Sequence, residues 1–153
     1  MKGTKNVKIL NEIRCVFPAD SRNEGLARSV VTSFSAQLDP SVNEIGEIKT
    51  AVSEAVTNCI VHGYRERKGT VELVVRHLED NMLYIKIRDK GCGIEDVKQA
   101  MEPLYTSAPE EERAGLGFAV MESFMDKVSV RSKPGQGTSV IMTRKILSEK
   151  DNT

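Results

Sequence analysis

The chain has 153 residues, and its 22 basic residues are balanced by 22 acidic ones. That length suffices for one domain with a core, and the balance argues against a general nucleic-acid or membrane-surface binder. The N-terminus, M-K-G-T-K-N-V-K-I-L, holds no long apolar run, so neither a secretory signal nor a membrane span is expected; Cys15, Cys59 and Cys92 lie far apart without a C-x-x-C spacing and read as reduced cytoplasmic thiols.

Residues 7–17 alternate imperfectly and predict a first strand, ended by Pro18. Ser21 followed by Glu24 has the spacing of a capping box. The helix it opens is expected to run to about Leu38, with Leu26, Val30, Phe34 and Leu38 inward and the pair Glu24 and Arg28 on the outer face. Asp39-Pro40 stops that helix, and Ser41 with Glu44 makes a second capping box. In the helix that follows, Ile45, Ile48, Val52, Ala55, Val56 and Cys59 form one apolar stripe. Gly63 suits its C-terminal boundary. Beside the stripe runs a polar row of Glu47, Glu54 and Asn58, with His62 near its edge. Glu54 and Asn58, four residues apart, point the same way from adjacent turns. The carboxylate can take a proton from a nucleophile, and the carboxamide oxygen can ligate a hard cation such as Mg²⁺. Taken alone, the pair equally suits the wet margin of an ordinary amphipathic helix.

Val71, Leu73 and Val75, then Leu83, Ile85 and Ile87, alternate on two strands joined by Glu79-Asp80-Asn81, an antiparallel hairpin. The second strand ends in D-K-G-C-G-I, where Gly91 and Gly93 permit a tight bend and close approach of a ligand, with Asp89 at its mouth. A short helical segment is expected near residues 95–101. Residues 102–114 have no regular period and predict a mobile loop leading to G-L-G at 115–117. Gly115 and Gly117 would then stand at the N-terminus of a helix over Phe118–Met125, leaving amides free to cradle phosphate. Strands Val128–Arg131 and Thr138–Ile146 close the chain.

Each of these signals is weak alone. In this order, E-x-x-x-N on a helix, D-x-G-x-G after a strand, G-x-G opening a helix and then Thr138 together resemble the nucleotide-binding boxes of the GHKL ATP-binding superfamily, which includes gyrase, histidine kinases and MutL. The resemblance implies a Bergerat fold: an α+β two-layer sandwich whose mixed, mostly antiparallel sheet carries helices on one face. It implies a single domain over 1–153, with its core at about 8–147. The order β-α-α-β-β-(α)-loop-α-β-β is compatible with this fold, and no G-x-x-x-x-G-K-[ST] occurs.

The runs F-S-A-Q-L-D-P at 34–40, I-K-T-A-V-S-E-A-V-T-N-C-I-V-H-G-Y at 48–64, I-R-D-K-G-C-G-I at 87–94 and P-L-Y-T-S-A-P-E-E-E-R-A-G-L-G-F at 103–118 strongly resemble the anti-sigma-F factor (stage II sporulation protein AB) family. This implies an ATP-dependent serine kinase that holds a sporulation sigma factor inactive and phosphorylates an anti-sigma factor antagonist. Carried over by the resemblance, Asp89 receives the adenine amino group with Thr138 near the same base, and Gly91 and Gly93 shape the pocket floor. Asn58 ligates Mg²⁺ and Glu54 is the catalytic carboxylate. Gly115 and Gly117 belong to the phosphate loop, Arg113 lies near the terminal phosphate, and Arg28 with Glu24 contacts sigma. Two departures stand out. Ala108 replaces an expected lysine, which implies weaker nucleotide binding or heavier reliance on Arg113; Ala114 for a serine is milder.

The family further implies a cytoplasmic homodimer without direct contact to nucleic acid or membrane. The chain shows no segment for a phospho-accepting histidine, so the phosphoryl acceptor is expected to be a separate protein. A related switch kinase for a stress sigma factor and a non-catalytic nucleotide-gated binding module are the rival readings. Retention of Glu54 argues against the second.

Overall fold

Strand β1 (Ile9–Pro18) alternates Ile13, Cys15 and Phe17 toward the core with Glu12, Arg14 and Val16 toward solvent. Period-two alternation of this kind commits one face of a strand to burial. The computed structural model describes residues 6–63, 69–91 and 109–148, with the side chains of 62–63 and 109–116 excepted. Gly93, Ala108 and the helical segment expected at 95–101 lie outside the described residues.

Strands β1, β2 (Thr70–Leu78), β3 (Met82–Asp89), β4 (Lys127–Lys133) and β5 (Gly137–Lys145) form one sheet in the order β1-β2-β3-β5-β4. Every described pairing is antiparallel, so the parallel component allowed by a mixed sheet is not seen among the described residues. The inner face is apolar throughout its centre, with Leu73, Val75, Leu83, Ile85, Ile87 and Met142 fully covered. Each such side chain contributes roughly 1.5–3 kcal/mol on burial.

Helices α1 (Arg22–Ser35), α2 (Val42–Thr57) and α3 (Pro109–Phe124) make the second layer, with α2 packed between the other two. The middle helix carries the densest apolar stripe: Ile48, Ala51, Val52, Ala55, Val56 and Cys59 are all buried, while Ile45 at its start is only half-buried. Its N-terminus is the expected capping box. Glu44 N–H donates to Ser41 Oγ at 3.1 Å, and Ser41 N–H donates to Glu44 Oε1 at 2.8 Å. The same carboxylate accepts from Leu147 N–H at 2.8 Å and Ser148 N–H at 3.1 Å, tying the end of the described chain to the start of α2. Burial works to raise the Glu44 carboxyl, but these donors outweigh it and hold the group below its ordinary value. In the β2–β3 connection, Asn81 Nδ2 donates to Leu38 O at 3.1 Å and to Ile146 O at 2.9 Å, pinning three segments at one end.

Three expectations are corrected here. Ser21 does not cap α1: its backbone is already helical and its side chain makes no capping bond. Asp20 serves instead, accepting from Arg22 N–H at 2.9 Å and from the Arg22 guanidinium. The inner face of α1 is Ala27, Val31, Phe34 and, just past the helix, Leu38, while Leu26 is 55% exposed. Glu24 and Arg28 therefore sit at the margin of the buried face rather than opposite it. Finally, α3 begins at Pro109, so residues 109–114 are helical and Gly115 and Gly117 lie inside the helix. The physical reason is legible after the fact. A proline in the first turn followed by Glu110, Glu111 and Glu112 is a helix-start signal, through its preset φ and the helix dipole.

Candidate functional site

At the C-terminal end of α2, the backbone changes from α-helix to a π-helical turn over Asn58–Gly63. Such widened turns frequently occur at functional sites. The turn sends Asn58 and Cys59 to different neighbours: Asn58 faces Gly117 of α3, and Cys59 lies beside Asp89 at the end of β3. The C-terminal end of α2, the end of β3, the start of β5 and the middle of α3 thereby converge.

Asp89 is 3% exposed. Its Oδ1 accepts from Gly91 N–H at 2.9 Å and from Thr138 N–H at 3.2 Å, and the Cys59 thiol lies beside the carboxylate. Burial pushes the Asp89 carboxyl above its ordinary value, against the Gly91 amide, the Cys59 thiol and the Thr138 amide, which all favour the ionised form. Burial first, then the adjacent negative charge and hydrogen bond, pushes the Cys59 thiol well above its ordinary value, so it stands as a neutral donor. Across the sheet, Asp89, Thr138 and Ser132 occupy one register line on β3, β5 and β4. The hydroxyls of Thr138 and Ser132 lie 2.9 Å apart, and Ser132 Oγ donates to Gly137 O at 2.9 Å.

Gly137 locks this corner. Its φ is +88°, and a Cβ there would lie 2.2 Å from Asp89 O and 2.6 Å from Lys90 Cα. No side chain fits without moving the backbone that carries Asp89.

Gly117 plays a comparable part on the other side. A Cβ at that position would lie 3.1 Å from Glu54 Oε2, 3.2 Å from Asn58 Nδ2 and 3.3 Å from Asn58 Oδ1. The glycine thus lets α3 approach the two polar groups of α2 to contact distance. Asn58 Nδ2 is buried without a hydrogen-bond partner. A buried N–H left unpaired costs roughly 1–3 kcal/mol, which marks a donor awaiting an acceptor such as a phosphate oxygen, while Oδ1 of the same carboxamide stays available to a cation. Among the described residues no three His, Cys, Asp or Glu side chains gather into a metal cage. Mg²⁺ does not need one: it is commonly held through one or two protein oxygens together with waters and substrate phosphates. The carboxamide of Asn58, with the Glu54 carboxylate beside it, is a donor set of that kind.

The predicted residues therefore fall into four groups. Asp89, Gly91 and Thr138 come together at one corner, Glu54, Asn58 and Gly117 at the other, and Cys59 connects the two. Arg113 and Gly115 lie on α3 beyond the described side chains. Glu24 and Arg28 are paired at 2.8 Å on α1, with the Arg28 Nε–H not aligned for a hydrogen bond. Sequence reading missed Cys59, Ser132 and Gly137 as parts of the site. Cys59 reads as one more apolar residue of the stripe, and Gly137 as one of two turn glycines.

The histidine kinase-like ATPase domain family matches residues 17–144 of the chain. The chain is 53% identical over 135 residues to the anti-sigma F factor of Clostridium acetobutylicum, a match covering 88% of this chain and 94% of that protein. It is 51% identical over 141 residues to the anti-sigma F factor of Bacillus subtilis, covering 92% of this chain and 96% of that one. Among solved structures, the histidine kinase domain of the Erythrobacter litoralis blue-light activated histidine kinase superposes with a TM-score of 0.57 at 20% identity, over 85% of this chain and 62% of that one, a likeness of fold.

Proposed function

The chain belongs to the anti-sigma F factor family and carries its histidine kinase-like ATPase domain, and from that premise we propose that it is an ATP-dependent protein serine kinase and anti-sigma factor. It binds a sigma factor of the sporulation type, keeps it inactive, and phosphorylates a serine of that sigma factor's antagonist. The observation that carries the catalytic half is the meeting of Glu54, Asn58 and Gly117, with an unpartnered buried amide on Asn58.

Phosphoryl transfer needs positioning and charge stabilisation more than covalent chemistry. In this reading Asp89 accepts from the adenine amino group through Oδ2, since Oδ1 already holds two backbone amides. Gly91, Gly93 and Thr138 shape the base pocket. Asn58 would hold Mg²⁺, which would supply charge neutralisation on the phosphates. Glu54 orients the incoming serine hydroxyl and takes its proton. Arg113 meets the terminal phosphate. For amides around Gly115 and Gly117 to meet phosphate, the first turns of α3 must open. Two glycines lower the cost of that opening, each weakening a helix interior by roughly 1 kcal/mol relative to alanine.

Arg28, with Glu24 beside it, is the proposed sigma contact. The homodimer we infer uses β1. This strand is a free sheet edge, and Ile9, Leu10 and Val16 on it are 46%, 51% and 62% exposed. Its two charges, Glu12 and Arg14, are paired with Arg76 and Glu72 of β2, and an exposed apolar edge of this kind is a template for pairing with another strand. By contrast the opposite edge, β4, carries Lys127, Arg131 and Lys133.

The test is co-purification from the native cell with and without added ATP, followed by identification of the bound proteins. A sigma factor retained with ATP, together with phosphoserine on a second captured protein, supports the reading. Nucleotide-dependent capture with no phosphorylated partner would reduce the chain to a nucleotide-gated binding module.

A further inference from the structure

All three helices pack on the inner face of the sheet, and no described helix lies on the outer face, where Val74 is covered only by the side chains around it. Charge is unevenly placed there. On β3, Lys86 and Arg88 point outward, and on β4 so do Arg131 and Lys133, because they alternate with the inward Ile85, Ile87, Val130 and Ser132. Strand β5 runs between the two pairs and shows its short side chain Ser139 and its half-buried Ile141. Arg88, Ser139 and Arg131 share one register line, as do Lys86, Ile141 and Ser129.

The result is a shallow strip with cationic walls. Its width is two inter-strand spacings, about 10 Å, and the cations along each wall repeat at about 6.8 Å, two strand residues. None of the four cations is ion-paired among the described residues. On the β1–β2 side of the same face, cations are answered: Arg14 pairs with Glu72 at 3.5 Å, and Arg76 pairs with Glu12 and lies over the Tyr84 ring at 4.8 Å. Lys127 and Lys145, farther along β4 and β5 and likewise without an ion pair among the described residues, extend the positive charge of the other side. In a chain of balanced charge, four cations without an ion pair among the described residues gather on two walls of one strip; Glu72, across from Arg88 on β2, is taken by Arg14.

We propose that this strip docks an extended acidic segment of a partner protein. An extended peptide with a carboxylate at every second residue presents them on one side at the same period of about 6.8 Å, which matches the walls. Charge complementarity of this type sets partner choice and encounter rate. A nucleic acid fits less well. The strip offers no open aromatic face for base stacking, since Tyr84 is covered by Arg76. The zero net charge also gives no long-range pull on a polyanion. A second copy of the chain stacked through this face would set like charges against each other.

The test uses the full chain with saturating Mg–ATP, so that the nucleotide site is not available to the probe. The probe is a fluorescein-labelled octapeptide of alternating glutamate and serine, followed by anisotropy at about physiological ionic strength, where surface charges are screened beyond about 8 Å. Saturable binding is expected, weakened about tenfold or more by the double substitution Arg88→Ser with Arg131→Ser. The control double substitution Lys8→Ser with Lys49→Ser should leave it unchanged, with both variants melting as the parent does. Amide NMR shifts on adding the peptide should concentrate at residues 86–88, 129–133 and 139–141. Absence of binding overturns the proposal, as does equal loss in the control. It is equally overturned if a single-stranded oligonucleotide binds the same residues more tightly than the peptide, or if sedimentation shows self-association that Arg88→Ser with Arg131→Ser abolishes.

Discussion

Gly117→Ala isolates the catalytic corner from the fold that supports it. Two effects on stability oppose one another. Alanine in a helix interior is favoured over glycine by roughly 0.8–1 kcal/mol. The new Cβ, however, would lie 3.1 Å from Glu54 Oε2 and 3.2–3.3 Å from the Asn58 carboxamide, closer than ordinary contact. Both neighbours are the ends of flexible side chains, so they yield by turning off their preferred rotamers, at a cost of about 0.5–1.5 kcal/mol. The net change in stability should stay within about 1 kcal/mol, a shift of only about 2–4 °C in Tm for a chain of this size. Catalysis has no such compensation. The displaced atoms are those proposed to take the proton and hold Mg²⁺, and misplacing reacting groups by up to 1 Å costs as much as about 10²-fold. Thermal unfolding and single-turnover phosphoryl transfer, measured on the same preparation, should show a near-normal Tm with transfer reduced about 10–100-fold. Full transfer rate with wild-type Mg–ATP affinity would refute the reasoning. So would a fall in Tm well beyond this range, which would make the close approach a packing seam.

Asp89→Asn should weaken ATP binding about 10–150-fold, the weight of a charge-assisted hydrogen bond of roughly 1.5–3 kcal/mol, while the parent chain rejects GTP; calorimetric titration with both nucleotides checks this. Burial raises the Asp89 carboxyl, and the ionised carboxylate is the stronger acceptor for the adenine amino group. ATP affinity should therefore decline on acidification, beginning above the ordinary carboxylate range, and a flat profile would contradict the assignment. Glu44→Gln should lower stability by about 1–3 kcal/mol at neutral pH, because three backbone amides lose a charged acceptor. The Glu44 carboxyl is held below its ordinary value when folded, so its contribution is present above the unfolded pKa and lost as pH falls through the folded one; melts of parent and variant should converge in acid. Arg28→Glu leaves Glu24, 2.8 Å from the present guanidinium, facing a like charge, and should weaken sigma binding by about tenfold or more, roughly 1.4 kcal/mol. Arg28→Met, which keeps the stem and removes the charge, should lose binding without that repulsion, and unchanged binding in both by surface plasmon resonance would reject the contact.

The element order and the identity of α2 as the central helix were legible because period and caps agreed. The apolar stripe from Ile48 to Cys59, the Ser41–Glu44 box and the β2–β3 hairpin all point to the same architecture. The phase of α1 was not. Leu26-Val30-Phe34-Leu38 and Ala27-Val31-Phe34-Leu38 are both helical stripes, and hydrophobicity favours the first. The fold chooses the second, in which the small Ala27 is 1% exposed. The beginning of α3 was hidden by the lack of a regular period over 102–114, where Pro109 in a first turn is a helix starter. The site itself was half legible. Glu54 and Asn58 share a helix, so their spacing betrays them. Cys59 meets Asp89, and Gly137 meets the Asp89 backbone, only through strand and helix packing, which no local pattern records.

The central claim is that Glu54 serves phosphoryl transfer from ATP to a protein serine. It is tested most directly by single-turnover transfer of labelled γ-phosphate to the antagonist, comparing the parent chain with Glu54→Gln. The account predicts acid-stable phosphoserine on the antagonist with the parent chain. It predicts transfer slowed by roughly 10²–10⁴-fold in the variant, with ATP affinity retained. Equal rates in the two proteins, or label on no antagonist serine with either, would contradict it.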